Sequence, residues 1–110
     1  MDNHQKLLSF LGIARKAGAL QIGGFLSFAA VKDKKAKMLI CAQDAAESTK
    51  KECEHSKEIK KLTVLYLFTK EQLGAAFGKE EISVVAVTKK DFSDNIKRMI
   101  GMNINGGDAT

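Results

Sequence analysis

The segment that decides the fold is Leu73-Gly-Ala-Ala-Phe-Gly78, which three polar residues separate from the apolar run Ile82-Ser-Val-Val-Ala-Val87. Thr69 is expected to cap a short helix that ends near Gly78. Threonine is favoured at the N-cap of a helix, and glycine is favoured at the left-handed position that ends one. The apolar run predicts a buried strand. A short helix, a polar loop and a buried strand in this order place the loop at one edge of a sheet.

Working outward from this segment, strand patterns occupy residues 19–22, 37–42 and 63–68, and helix patterns occupy residues 3–17, 25–34 and 46–61. A last helix follows Thr88, which we expect to cap it, and Asp44 is expected to cap the helix that starts near residue 46. Helices alternate with strands, so the fold class is α/β: a three-layer α-β-α sandwich with a central four-stranded mixed sheet. We expect one domain over residues 1–102 and a disordered tail over residues 103–110.

Composition sets limits on the class of protein. A chain of 110 residues has room for one core. It contains no apolar run of roughly 18 residues and no signal-peptide pattern, so we expect a cytoplasmic protein without a membrane partner. Cys41 and Cys53 are expected to be reduced thiols that act as small hydrophobic residues. No catalytic triad, P-loop or dinucleotide fingerprint is present, so neither an enzyme nor a cofactor is expected.

The charge is unevenly distributed along the chain. The net charge is +5, and residues 1–40 carry seven basic and two acidic residues, whereas basic and acidic residues balance over the remainder. Such asymmetry is typical of a basic face that meets a polyanion. A solvated surface that keeps the protein soluble is the alternative, and charge alone does not separate the two.

Five segments in this order carry a family resemblance: Leu11-Gly-Ile-Ala-Arg-Lys-Ala-Gly18, Ala36-Lys-Met-Leu-Ile-Cys-Ala-Gln-Asp44, Ser48-Thr-Lys-Lys51, Leu73-Gly-Ala-Ala-Phe-Gly78 and Val84-Val-Ala-Val87. Together they resemble the kink-turn RNA-binding ribosomal-protein superfamily, which includes the proteins written L-seven-Ae and L-thirty-e, and most of all its small bacterial YlxQ-type members. The resemblance covers about residues 5–100. It implies a non-enzymatic protein that binds sharply bent RNA beside tandem sheared G·A pairs.

The resemblance also implies where RNA is contacted. In family members, the glycine-led start of the second helix lies against a phosphate, and polar side chains that follow read the G·A edges. Here Gly23 matches the leading glycine and Gly24 the threonine that follows it. Phe25, Leu26 and Ala29 replace the asparagine, glutamate and lysine of the family, so the side chains that would recognise the G·A edges are absent.

Other positions match the family's contacts more closely. Gln43 and Asp44 follow a strand where members often have Glu-Asp, Lys37 matches a basic position near the RNA backbone, and residues 79–83 match the loop that packs against an extruded nucleotide. For Arg15 and Lys16, neutralising the end of their own helix is an alternative to binding phosphate. The predicted RNA-binding set is Arg15, Lys16, Gly23, Gly24, Phe25, Lys32, Lys34, Lys35, Lys37, Gln43, Asp44, Lys79, Ile82 and Ser83.

Three hypotheses of function follow. The first is a ribosome-associated protein that binds structured, kink-turn-like RNA. The second is a protein-interaction module that kept the fold, lost kink-turn recognition, and docks a protein partner on the run from Phe25 to Phe28. The third is a protein that binds single-stranded or non-kinked RNA, with Phe25 as a stacking platform.

Overall fold

The computed structural model describes residues 3–101, which form five helices and four strands. In chain order these are α1 (Asn3–Lys16), β1 (Leu20–Ile22), α2 (Gly24–Lys32), β2 (Met38–Cys41), α3 (Glu47–Lys60), β3 (Thr63–Tyr66), α4 (Lys70–Ala76), β4 (Val84–Val87) and α5 (Lys90–Met99). Each predicted element is present, with ends that coincide with the predicted ones or differ from them by one or two residues. The predicted tail over residues 103–110 lies outside the described residues.

The sheet has the strand order β1-β4-β2-β3. β4 runs antiparallel to both β1 and β2, whereas β2 and β3 are parallel. The register aligns Leu20, Val87, Met38 and Thr63 in one row across all four strands. This arrangement confirms the predicted mixed sheet.

Helices cover both faces of the sheet. α2 and α3 pack together over one face, and α1 packs with α4 and α5 over the other. All residues of β2 and β4 are therefore buried, as expected for central strands that are covered on both sides. This confirms the α/β sandwich. Among residues 3–101, no helix has the length and apolar character that a membrane crossing requires.

Of the three helix caps that the sequence predicts, the structure confirms one and shows that two are wrong. Thr69 forms the expected capping box with Gln72 at the start of α4. Asp44, however, does not cap α3. Its carboxylate accepts the Lys70 N–H at 2.8 Å and so helps to cap α4, because the turn after β2 passes beside the turn after β3. Thr88 does not cap α5 either, since its hydroxyl donates to the Ala19 carbonyl at 3.1 Å.

The parallel direction of β1, β2 and β3 places the ends of these strands and the start of β4 at one edge of the sheet. We call this the loop edge and define it as residues 23–25, 43–45, 68–71 and 79–83. The chain returns to the opposite edge through α2 and α3. The strands are four residues long or shorter, so the two edges are about 13 Å apart along the strands.

Candidate nucleic-acid interface

Backbone hydrogen bonds hold the segments of the loop edge together. The Gly23 N–H donates to the Val84 carbonyl at 2.9 Å, and the Ala42 N–H donates to the Ser83 carbonyl at 2.8 Å. The Gln43 N–H donates to the Phe68 carbonyl, also at 2.8 Å. The start of α2 is therefore fixed beside Ser83, and the turn after β2 is fixed beside the turn after β3.

The start of α2 has a backbone that only glycine adopts without strain. Gly23 has a φ of 94°, which side chains with a Cβ rarely adopt. No side chain caps the helix, so the N–H groups of its first turn face outward, as the first turn of an α-helix leaves them without intrahelical acceptors. Together with the helix dipole, this start favours a negatively charged group.

A buried serine orients the start of α2, and the sequence analysis did not identify it. The Ser27 side chain is fully buried, and its hydroxyl lies 3.1 Å from the Gln21 carbonyl, to which it donates. This contact links the first turn of α2 to β1. The sequence feature that could have identified Ser27 is its position as the single polar residue in the apolar segment from Phe25 to Val31.

The residues after Gly23 present an open surface. A Cβ on Gly24 would meet only side-chain atoms of Phe28 and Val84, both at 4.0 Å, so packing does not require glycine there. Phe25 is 87% exposed and Leu26 is 47% exposed. Phe28 is half-buried and packs partly against the core, so the most exposed part of the expected Phe25–Phe28 patch is Phe25 with Leu26.

The turn after β2 brings Gln43 and Asp44 to the loop edge, as predicted. Both are exposed, and Asp44 is held by its hydrogen bond to the Lys70 N–H. The Gln43 side chain lies 3.5 Å from the Tyr66 carbonyl, a distance that leaves its amide largely free for another partner.

The loop over residues 79–83 lies close against α4. A Cβ on Gly74 would lie 2.6 Å from the Glu80 carbonyl oxygen, so only glycine permits this approach. Ile82 is 7% exposed, and its side chain packs in the core. The structure therefore corrects the expectation that this side chain contacts RNA, because the apolar residue fills the space below the loop. Ser83 is half-buried, and Lys79 is exposed.

A cavity of about 720 Å³ opens between this loop and α4. It is predominantly acidic, since it is lined by Asp44, Thr69, Glu71, Ala75, Lys79, Glu80 and Glu81. Glu81 makes an ion pair with Lys70 at 3.8 Å, and the Glu81 side chain is 64% exposed. This part of the loop edge repels phosphate.

The predicted basic residues do not gather at the loop edge. Lys34, Lys35 and Lys37 follow α2 and lie at the opposite edge, where the Lys37 N–H donates to the Val87 carbonyl at 2.7 Å. Lys16 ends α1 near the same opposite edge. Arg15 donates to the Phe77 carbonyl at 2.9 Å, so it neutralises the end of α4 rather than that of α1.

Lys32 lies apart from both edges. It lines a groove of about 600 Å³ between α2 and α3, together with Phe25, Phe28 and Glu52. The structure thus brings together at the loop edge Gly23, Gly24, Phe25, Gln43, Asp44, Lys79 and Ser83.

The two thiols lie below this surface and are not part of it. Cys41 and Cys53 are free and fully buried, in agreement with the prediction of reduced, core-forming cysteines. The hydrogen bond with the Cys41 thiol, and then burial, raise the pKa of Cys53 far above its ordinary value. Cys53 is therefore a neutral thiol.

Comparisons with known proteins agree with the predicted resemblance. The model of the ribosomal protein L7Ae/L30e/S12e/Gadd45 family matches residues 5–97. The RNA-binding protein YlxQ of Enterococcus faecium is 30% identical over 98 residues, which cover 89% of this chain and 94% of that protein. A protein with unknown function from Bacillus halodurans C has a similar structure, with a TM-score of 0.79, 30% identity, and coverage of 86% of this chain and 95% of that one. The Giardia lamblia 15.5kD RNA binding protein shares the fold, with a TM-score of 0.73, 19% identity, and coverage of 92% of this chain and 87% of that one.

Proposed function

This chain belongs to the ribosomal protein L7Ae/L30e/S12e/Gadd45 family, and on that premise we propose that it is a cytoplasmic RNA-binding protein that contacts bent, kink-turn-like RNA through the glycine-led start of α2. The role is binding, not catalysis. The relative from Enterococcus faecium, which matches over nearly its whole length, is an RNA-binding protein. We further propose that the RNA is ribosomal. Cosedimentation of the protein with ribosomal particles tests this.

The observation that carries the proposal is the uncapped start of α2 at Gly23 and Gly24. Its N–H groups and helix dipole suit a phosphate, and the absence of a Cβ at Gly24 lets an RNA backbone come close. Gln43 and Ser83 are the polar side chains beside it. The exposed ring of Phe25 lies next to the proposed phosphate site and offers a face on which an unpaired base stacks.

A binding titration tests this proposal. The probes are a labelled kink-turn RNA and the same RNA with its G·A pairs replaced, each at low and moderate salt. We expect tighter binding to the kink-turn and weaker binding at higher salt, because phosphate contacts release counterions. Equal binding to both RNAs would contradict kink-turn recognition, and no binding at low salt would contradict RNA binding of this class.

Substitution at Gly24 tests the position of the contact. Gly24→Glu has room for its side chain and places a carboxylate where the helix dipole stabilises it, so the fold is retained while phosphate is repelled. We expect affinity for the kink-turn RNA to fall about tenfold, which corresponds to about 1.4 kcal/mol. Gly12→Glu on α1 is the matched control, because it changes the net charge equally and a Cβ there meets no atom within 4 Å. Equal losses in both variants would locate the contact elsewhere.

Restoring the family's side chains tests specificity separately. The triple variant Phe25→Asn, Leu26→Glu, Ala29→Lys supplies hydrogen-bonding groups that phenylalanine, leucine and alanine lack. We expect it to increase the ratio of affinities between the kink-turn RNA and its G·A-replaced control. An unchanged ratio would mean that the start of α2 does not face the G·A pairs.

One observation favours a second candidate function. Phe25 and Leu26 are adjacent, exposed and apolar, which is typical of a protein-docking patch. In this case a partner protein, or a second copy of the chain, covers the patch in place of RNA. Self-association that Phe25→Asp abolishes in size-exclusion chromatography, together with no RNA binding by the unmodified protein, would favour this function.

A further inference from the structure

Four chain segments converge at the edge of the sheet opposite the loop edge. The row formed by Leu20, Val87, Met38 and Thr63 is the last paired row of the four strands at this edge. Just beyond that row lie residues 16–19, 33–37, 60–62 and 88–91, which we call the basic edge. Neighbouring strands are about 4.8 Å apart, so the row is about 14 Å wide.

Hydrogen bonds fix these segments to one another. The Lys37 N–H donates to the Val87 carbonyl at 2.7 Å, and the Thr88 N–H donates to the Ala19 carbonyl at 2.8 Å. The Lys89 ammonium group donates to the Ala17 carbonyl at 2.9 Å. These bonds hold in place three of the four segments, residues 16–19, 33–37 and 88–91, while the other lysine side chains of the basic edge are exposed.

The basic edge concentrates positive charge. Its segments contain eight lysines and two aspartates: Lys16, Lys34, Lys35, Lys37, Lys60, Lys61, Lys89 and Lys90, with Asp33 and Asp91. This surplus exceeds the net charge of the whole chain, which is +5. All eight lysines are exposed. The concentration arises because three helices end here: Lys16 and Lys60 are the last residues of α1 and α3, and Lys34 follows the end of α2.

Most of these lysines have no ion-pair partner among residues 3–101. Lys90 forms an ion pair with Asp94 at 2.8 Å, and Lys89 is held by the Ala17 carbonyl. In the part of the chain that the structure describes, no carboxylate lies within ion-pair distance of the other six, which are Lys16, Lys34, Lys35, Lys37, Lys60 and Lys61. Six unpaired ammonium groups on a fixed edge favour a ligand with many regularly spaced negative charges.

We propose that the basic edge is a second RNA-binding surface, which holds the sugar-phosphate backbone of a double-helical RNA segment independently of the loop edge. The segments of the basic edge contain no aromatic residue, and a single exposed apolar side chain, Ile59, adjoins them at Lys60. They therefore offer neither a stacking platform nor an anchor in a membrane, and contact with phosphates independent of sequence is what remains.

Distance separates the two surfaces. Gly23 and Lys34 lie at opposite ends of α2, a helix of nine residues that is about 13.5 Å long. This exceeds the Debye length of about 8 Å at physiological ionic strength, so a phosphate bound at one edge is largely screened from the other. The two edges therefore bind RNA independently. Given the function proposed for the loop edge, on which this step rests, one molecule can hold a bent RNA segment there and a duplex at the basic edge.

The experiment uses a regular RNA duplex with no kink-turn and compares two triple variants. Lys34→Gln, Lys35→Gln, Lys37→Gln removes three lysines from the basic edge. The control Lys50→Gln, Lys51→Gln, Lys97→Gln removes three lysines outside it, two in the first half of α3 and one near the end of α5. The changes in net charge are equal. We expect the basic-edge variant to lose at least tenfold in duplex affinity and to show a shallower dependence of log affinity on log salt, by about one for each lost contact. The control variant should bind within threefold of the unmodified protein.

Two results would overturn the proposal: equal losses in both triple variants, or no duplex binding by the unmodified protein at low salt. Thermal unfolding midpoints of both variants are measured to show that they remain folded. The same variants are titrated with the kink-turn RNA and its G·A-replaced control. We expect the basic-edge variant to keep the ratio between these two affinities. If the loop-edge proposal is wrong, the unmodified protein itself binds these two RNAs equally. If the basic-edge proposal is wrong, the result appears instead in the duplex titrations, so the two failures are distinguishable.

Discussion

Gly74 provides the sharpest test of how the loop edge is built. A Cβ at this position would lie 2.6 Å from the Glu80 carbonyl oxygen and 2.7 Å from the Lys79 carbonyl oxygen. The van der Waals distance between a Cβ and a neighbouring atom is ordinarily 3.4 Å or more. Gly74→Ala therefore forces the backbone of the loop to move away from α4 by nearly 1 Å. The Lys79 N–H also donates to the Gly74 carbonyl at 2.8 Å, so the loop has little freedom to move without losing this bond.

The net effect on stability is the difference between two terms. Overpacking of this kind costs about 1–3 kcal/mol, whereas replacing glycine with alanine inside a helix gains about 1 kcal/mol. We therefore expect Gly74→Ala to lower the free energy of unfolding by about 1 kcal/mol. Gly12→Ala is the matched control, since it lies in α1 with no atom within 4 Å of the added Cβ, and it should raise the free energy of unfolding by about 1 kcal/mol.

Urea unfolding followed by circular dichroism measures both values, and the two variants should differ by about 2 kcal/mol with unchanged m-values. Amide hydrogen exchange should also show less protection at Ile82, whose N–H donates to the Lys70 carbonyl at 3.0 Å, because the loop has moved. If Gly74→Ala stabilises the protein as much as Gly12→Ala does, then the loop does not lie against α4 and the described geometry of the cavity is wrong.

Three shorter predictions concern other parts of the molecule. Burial, and then the hydrogen bond to Glu54, raise the pKa of Tyr66 above its ordinary value of 10.0; the stability that this shift contributes is present below pH 10 and is lost as pH rises further. Tyr66 is the only tyrosine, so ultraviolet absorbance titration reports it alone, and a midpoint at or below 10 would contradict the shift. Ser27→Ala should lower the free energy of unfolding by about 1 kcal/mol, whereas Ser9→Ala on the exposed side of α1 should change it by less than about 0.5 kcal/mol; equal effects in denaturant titrations would remove the orienting role of Ser27. The Cys53 thiol should resist alkylation until the protein unfolds, because burial and its raised pKa keep it neutral and covered; labelling at the rate of a free thiol in native buffer would refute this.

The sequence was sufficient for the fold because its patterns are local. Continuous apolar runs such as residues 37–42 identify strands that are buried on both faces, and Thr69 and Gly78 mark a short helix by cap chemistry. The two caps predicted wrongly show where local reasoning fails. Asp44 lies three residues before Glu47, where α3 begins, yet its carboxylate accepts the first N–H of α4. Only the three-dimensional arrangement of two neighbouring turns determines that choice.

The candidate site was less predictable because it depends on which edge of the sheet each segment reaches. The residues that share the loop edge, such as Gly23 and Gln43, could be grouped from the family resemblance. Charge groups Lys34 with them and the family resemblance groups Lys37 with them, but α2 carries the chain across the whole sheet before these lysines occur. Ser27 was missed because a serine in an apolar helix has no distinctive pattern, and its role requires knowledge of the carbonyl that it contacts.

The separation of charge between the two edges determines what each edge can contribute to RNA binding. At the loop edge, the four carboxylates of Asp44, Glu71, Glu80 and Glu81 line the cavity with one lysine, and the dipole of α2 offers only about half a positive charge. This edge therefore suits recognition of a shape whose phosphates approach at one point, and it gives little attraction for RNA in general. The basic edge has the opposite character, with many unpaired ammonium groups and no group that reads bases. If both edges bind RNA, salt should weaken duplex binding steeply and should weaken the preference for the kink-turn only slightly. The two surfaces can thus be separated by ionic strength alone, before any residue is changed.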